Sequence, residues 1–192
     1  MPDLADLSVP QALKVLHAGE ISSLALTRAC LDRVEALEGQ LHAFITVASE
    51  KAEQSAKVAD ARLSELRHTS QPIPPLLGLP IVVKDVLCVQ DIRCTCGSKI
   101  LENFIPPFSA TAVQKLLDAG VVVLGKTNTD EFAMGSSTEN SAFGPTHNPW
   151  DFHAYLVVPA VGVLQLWPPA LSRLPWVLIP AVVCASPPLF AG

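Results

Sequence analysis

Apolar and polar residues along the first 150 positions fall into helical and strand-like patterns that alternate. Ser8-Val9-Pro10-Gln11 has the form of a capping box with Pro in the first turn, so a short helix is predicted to run to Gly19. Ser22 or Ser23 caps a second helix, with Leu24, Thr27, Leu31 and Val34 at helical spacing and Gly39 expected just past its end. His42 to Val47 alternates like a strand. A charge-rich helix then opens at Ser49 and reaches about Arg67, with Ala52, Ala56 and Ala59 on its packing side. The Pro-rich stretch from Gln71 to Leu79 reads as loop. Ile81-Val82-Val83 reads as a short buried strand with Lys84-Asp85 at its end. Ser109 is expected to cap a helix that runs through Ala119 and stops at Gly120, followed by a buried strand from Val121 to Leu124. Residues 126–150 begin with a helical turn near Asp130 to Met134 and then become loop. Strand, helix and strand in that order predict an α/β fold, a mostly parallel or mixed sheet covered by helices.

After Asp151 the pattern breaks. Residues 152–192 hold no Asp, Glu or Lys, a single Arg (Arg173) and seven prolines. Soluble domains carry roughly a quarter charged residues and about 5% Pro. The chain therefore divides into residues 1–151, which read as folded domain, and an aberrant apolar, Pro-rich tail over 152–192. Within the tail, Leu174 to Gly192 is 19 residues without charge, long enough for a membrane span. Pro175, Pro180, Pro187 and Pro188 interrupt it, each removing a helix hydrogen bond that lipid cannot replace, so no membrane association is expected. The N-terminal MPDLADLSVPQ lacks the basic and apolar regions of a signal peptide.

Charge and cysteine usage narrow the function classes. A net charge of −5 gives no electrostatic footprint for nucleic acid, so contact with RNA is expected only through a partner. Cys30, Cys88, Cys94, Cys96 and Cys184 are odd in number and irregularly spaced, which points to a reducing, cytoplasmic setting. Neither the cysteines nor the five histidines show metal-ligand spacing.

Three stretches carry candidate chemistry. Gly120 to Thr127 (GVVVLGKT) satisfies the phosphate-loop pattern G-x-x-x-x-G-K-S/T letter for letter. Its middle is the predicted strand itself, and backbone N–H groups committed to a sheet cannot cradle phosphate. Lys84 follows the apolar run Pro80 to Val83. It reads either as a lysine snorkelling from a buried strand or as one whose neutral amine acts as a base. Residues 134–144 (MGSSTENSAFG) offer hydroxyls and flexible backbone, as a surface loop or as part of a site. Ser136 and Ser137 have no His in a triad-like context.

Taken together, GLPIVVKDV (78–86), CGSKILENF (96–104) and GKTNTDEFAMGSSTENSAFGPTHNPWD (125–151) resemble the amidase signature family. Within it, the DEFAMGSSTENSAFG wording looks like that of the A subunits of glutamyl/aspartyl-tRNA amidotransferases. The resemblance implies a mixed sheet wrapped by helices, incomplete here, and a Ser–cis-Ser–Lys site that hydrolyses the glutamine side-chain amide. Lys84 would be its lysine, and Met134, Gly135 and Ser136 would line the substrate. It further implies B and C subunits as partners, with tRNA, ATP and Mg bound by the partner subunit and no cofactor in this chain. Other amidase-signature amide hydrolases, and a non-catalytic protein assembled through its apolar tail, are the competing readings.

The two serine motifs that the resemblance implies, one like PGGSSGGS and one like GTDTGGS followed by Ile or Val and Arg-Gln-Pro, are missing. Family spacing puts the bridging serine at 159 and the nucleophile at 183, where this chain has Pro159 and Val183. A one-base shift of reading frame reconciles the two. If the first two bases of each codon here were the last two of the proper codon, Leu156 to Val163 permits Pro-Gly-Gly-Ser-Ser-Gly-Gly-Ser. Val177 to Pro187 likewise permits Gly-Thr-Asp-Thr-Gly-Gly-Ser-Val-Arg-Gln-Pro. Phe190-Ala191-Gly192 already reads like the family, which puts one base lost near 152–153 and one gained near 189–190. As written, the chain is expected to be inactive.

Overall fold

The computed structural model describes residues 4–69, 71–148 and 151–155, the last stretch in backbone alone. Helix α1 (Val9–Ala18) starts where Gln11 Oε1 accepts the Ser8 N–H at 2.9 Å and the Ser8 hydroxyl at 2.7 Å, and ends at Gly19 with φ +79°. Helix α2 (Ser23–Leu41) begins where the Ser22 hydroxyl oxygen accepts the Ala25 N–H. Its first amides, on Ser23 and Leu24, donate to the Asp60 carboxylate of α3 (Ser49–Thr69), so a buried helix start is satisfied from the next helix. The helix runs past Gly39, contrary to the sequence expectation. Gly39 is exposed with open space around it, whereas Leu41 is buried, and the turn that buries Leu41 closes at His42 in the left-handed region (φ +52°). Glu38 then reaches around that end and accepts the Ala43 and Phe44 N–H groups.

Three strands make the central sheet, in the order β1 (Phe44–Val47), β3 (Val122–Thr127), β2 (Pro80–Lys84). β1 pairs antiparallel with β3, and β2 pairs parallel with it. Side chains alternate between faces along a strand, and both faces here are apolar. Val82, Val122 and Leu124 pack with Ala52 and Ala56 of α3, with Leu24 and Leu31 of α2 at the margin. Val83 and Val123 pack on the other face with Val89, Ile92 and Val113, the last from helix α4 (Thr111–Asp118). Cover on both sides is why β2 and β3 read as apolar runs, whereas β1 at the edge reads as alternating.

Two further expectations are corrected. α4 starts after Ala110 rather than at Ser109, because the Ser109 hydroxyl accepts the Gln90 N–H at 3.0 Å instead of capping the helix. β3 does not stop at Leu124 but continues through Gly125, Lys126 and Thr127, with all six residues buried. Beyond it, β4 (His147–Asn148) pairs antiparallel with β5 (Asp151–Tyr155), which crosses the composition boundary after Asp151. Among the described residues no helix is long and apolar enough to cross a membrane.

Gly125 marks a close approach of two strands. A Cβ there would overlap the Thr46 carbonyl oxygen and lie 3.1 Å from Val47 Cα, so β1 and β3 approach only because the side chain is absent. Gly125→Ala is expected to lower unfolding free energy by about 2 kcal/mol through overpacking. Urea denaturation of the two chains checks this, and equal midpoints would contradict it.

Candidate active site

The strand end that carries Lys84 is fixed by the residue after it. Lys84 closes β2, its carbonyl accepts the Leu87 N–H, and the Asp85 N–H donates to the Thr127 carbonyl at 3.0 Å. The Asp85 side chain is fully buried, yet each carboxylate oxygen has a donor. Lys126 Nζ of β3 stands 3.0 Å from Oδ1, and both side chains are inaccessible to solvent. On Oδ2, the Thr95 N–H donates at 2.9 Å and the Thr95 hydroxyl makes a second, short contact. The Asp85 carbonyl in turn accepts the Cys96 N–H and the Cys94 thiol, both at 3.1 Å. One residue thus joins β2, β3 and the loop 94–98.

That loop passes the order on to the polar segment beyond β3. Cys96 and Gly97 are both left-handed (φ +53° and +66°), and a Cβ on Gly97 would lie 2.5 Å from the Thr129 carbonyl oxygen. The Cys96 carbonyl accepts the Phe132 N–H at 2.7 Å, and the Gly97 carbonyl accepts the Ala142 N–H at 2.8 Å. The Ser98 hydroxyl donates to Glu131. A second buried acid, Asp130, then shapes the next loop. Its Oδ2 accepts the Ser137 and Thr138 N–H groups, and its Oδ1 accepts the N–H and side-chain amide of Asn140. Burial pushes the Asp130 carboxyl up. The bonds from Thr138, Asn140 and Ser137 outweigh it, and the group ends below the usual aspartate value. Asn128 closes the segment, accepting from the Thr129 N–H and Ser141 hydroxyl and donating to the Gly144 carbonyl and Thr146 hydroxyl.

Met134, Gly135 and Ser136 lie exposed on this loop, Met134 at 82%. Gly135 sits so close to Asp130 that a Cβ would fall 2.5 Å from the carboxyl carbon. Lys84 and these three residues are therefore linked through one hydrogen-bonded path: Asp85, the 94–98 loop, then the backbone of 129–142. Positions 159 and 183, where the two serines are expected, lie outside the described residues. The phosphate-loop pattern is disposed of by position, since residues 122–127 are strand and Lys126 is committed to Asp85.

Lys126, Thr95 and Asp130 are site-forming residues that sequence reasoning missed. A signal for Lys126 existed. A lysine inside a strand with buried neighbours requires a buried acid, and Asp85 follows the parallel strand.

Three thiols crowd the same place. Cys88 and Cys96 both interact with Cys94, whose thiol donates to the Asp85 carbonyl. Burial first, then the neighbouring Cys94 thiol and the Asp85 carboxylate, push the Cys96 thiol up to about 11. Burial and Cys94 raise Cys88 in the same direction. Among the described residues no group of three His, Cys, Asp or Glu side chains is placed to hold a metal ion.

Two outcomes follow from these environments. Because the thiolate is the reactive form, Cys96 at pH 8 should alkylate with iodoacetamide about a hundredfold more slowly than an unperturbed thiol. Peptide mass spectrometry over time reads this directly, and rapid labelling of the folded chain would contradict it. Asp130→Asn removes the charged acceptor and should cost about 2 kcal/mol at neutral pH. The folded carboxyl is lowered, so its contribution is complete above the unfolded value of about 3.9 and is lost as pH falls through the folded value. The gap between wild type and variant in urea unfolding should therefore hold from about pH 5 to 8 and shrink below about pH 4. A gap independent of pH would show that the charge is irrelevant.

Known proteins agree with this architecture. The Amidase family model matches residues 25–156. The chain is 54% identical over 151 residues to the A subunit of glutamyl-tRNA(Gln) amidotransferase from Dehalococcoides mccartyi, covering 79% of this chain and 30% of that protein. The solved structure of the corresponding A subunit from Thermotoga maritima superposes with a TM-score of 0.62 at 34% identity, covering 81% of this chain and 30% of that one. Peptide amidase from Stenotrophomonas maltophilia superposes with a TM-score of 0.64 at 33% identity, covering 79% and 30%. The chain thus spans about 30% of the length of the curated relatives it matches. With a family match over most of its length and the same fold in solved relatives, the chain belongs to the Amidase family.

Proposed function

We propose that residues 1–151 are the lysine-bearing portion of a glutamine-hydrolysing A subunit of a tRNA-dependent amidotransferase, working in the cytoplasm with B and C subunits. The observation that carries this reading is the 54% identity over 151 residues with a protein of that name, spanning the Lys84 strand end and its clamp. In the proposed chemistry the neutral Lys84 amine accepts a proton through a bridging serine, and a second serine attacks the glutamine side-chain amide. Backbone N–H groups stabilise the tetrahedral oxyanion; the proton held by Lys84 returns to the leaving nitrogen, and collapse expels ammonia and leaves an acyl-serine that water hydrolyses to glutamate. The ammonia passes to the partner subunit, which holds ATP, Mg and the mischarged tRNA. Met134, Gly135 and Ser136 would border the glutamine site, consistent with their exposure on the loop that Asp130 shapes.

This chain, with Pro159 and Val183 at the serine positions, is proposed to be inactive, and the frame-shifted tail is the proposed cause. The purified chain, alone or mixed with B and C subunits of a relative, should release no ammonia from L-glutamine above the uncatalysed rate. Clear turnover would overturn the claim. The nucleotide sequence gives an independent check: a shifted frame over 152–189 that fails to encode both serine motifs removes the explanation. The likeness to peptide amidase supports a second reading, hydrolysis of another small amide by a chain that needs no partners. Dependence on B and C subunits, measured on a full-length protein of this sequence type, separates the two.

A further inference from the structure

The clamp around Asp85 bears on Lys84 itself. Residues 84 and 85 share one peptide unit, and both sides of it are held. The Lys84 carbonyl accepts the Leu87 N–H, and the Asp85 N–H donates to Thr127, each at 3.0 Å. Lys84 cannot change its backbone direction unless Asp85 moves. Asp85 is held in turn by Lys126 Nζ, by the N–H and hydroxyl of Thr95, and through its own carbonyl by Cys94 and Cys96. Its carboxylate and the Lys126 ammonium are both fully buried, so neither can exchange its partner for water. Lys84, by contrast, is only partly buried, so the clamp is dry while the residue it carries keeps some exposure.

We propose that Asp85, Lys126 and Thr95 are positioning residues for Lys84: the buried, hydrogen-bonded pair fixes the strand end from which the Lys84 side chain projects, and with it the surroundings of its amine. A base must meet its proton at hydrogen-bond distance, so a displacement of about 1 Å at this strand end would be felt strongly in catalysis. The functional meaning of the proposal rests on the reading of Lys84 as the base. The positioning claim can be tested without turnover.

The test is trace acetylation with acetic anhydride as a function of pH, quantified at Lys84 by peptide mass spectrometry. Lys57, exposed on α3, serves as the internal reference in the same molecule. The wild type is compared with Asp85→Asn/Lys126→Met, which removes both charges together, and with Thr95→Val, which removes one hydroxyl and keeps the ion pair. Circular dichroism and thermal unfolding identify conditions in which each variant is folded. The expected result is that the Lys84 profile of the folded double variant moves toward that of Lys57, with a change of about tenfold in rate at fixed pH. Thr95→Val should move it the same way by less, and the Lys57 profile should not change. If the double variant does not fold, Thr95→Val alone decides. A Lys84 profile that stays unchanged while the melting temperature falls would reduce the pair to structural glue and overturn the proposal. So would a wild-type Lys84 profile that already coincides with that of Lys57. Whether Lys84 acts as a base is decided separately, by turnover in a full-length relative that lacks the matching lysine, so either claim can fail without the other.

Discussion

The buried ion pair between Asp85 and Lys126 is the constraint around which the described structure is arranged. Taking two charges out of water costs several kcal/mol per ion, and their mutual attraction offsets this only with good geometry and further hydrogen bonds. Here those bonds exist: Thr95 supplies two donors to the oxygen that Lys126 leaves free. Replacing such a pair with apolar side chains is often neutral for stability, whereas removing one partner alone typically costs about 3–5 kcal/mol. The pair is therefore weak evidence for net stabilisation. What it fixes is geometry, because the parallel register of β2 and β3 and the path of the 94–98 loop meet at one carboxylate.

A second acid repeats the arrangement further along the chain. Asp130 receives four N–H donors from 137–140, as Asp85 receives donors from Thr95 and Lys126. Between them, Gly97 allows the backbone of one loop to lie against the carbonyls of the other, which no residue with a Cβ could do without a shift. The polar stretch from Asn128 to Thr146 thus holds its shape with few apolar contacts. Side-chain carboxylates and amides take the place that a hydrophobic core has elsewhere in the molecule.

The elements were legible wherever burial dictated periodicity. The alanines of α3 and the apolar runs of β2 and β3 all stand where their pattern placed them. What the sequence hid were the cases in which a polar atom had two possible partners. Ser109 looked like a helix cap, and its hydroxyl is taken by Gln90. Gly39 looked like a helix stop, and an exposed glycine with open space around it was outweighed by the burial of Leu41. Lys126 looked like half of a phosphate loop because its acid partner lies 41 residues away in the chain. Such a long-range pairing can be read only once β3 is known to run through Lys126 and β2 to lie beside it. Lys84 and residues 134–136 were named as site residues by resemblance, and spacing alone left the lysine undecided between snorkelling and chemistry.

If Lys84 is the base, as proposed above, the hydroxyls of Ser98, Ser137 and Ser141 are not the ones that serve it. A nucleophilic serine must hand its proton to the base, so its hydroxyl hydrogen has to point there. Ser98 donates instead to Glu131, Ser137 to Glu139 and Ser141 to the Asn128 side-chain oxygen. Each is satisfied by an acceptor within its own loop cluster, and moving one would undo the network that shapes the segment. The part of the fold seen here is therefore organised as a mounting: it holds a lysine at a strand end and a shaped loop beside it. Under the proposed function, the relay serines are expected at positions 159 and 183, held by Pro159 and Val183 in this chain. Replacing Gly- and Ser-rich turns with Pro and bulky apolar residues after Asp151 would withhold that half of the site and leave the mounting intact.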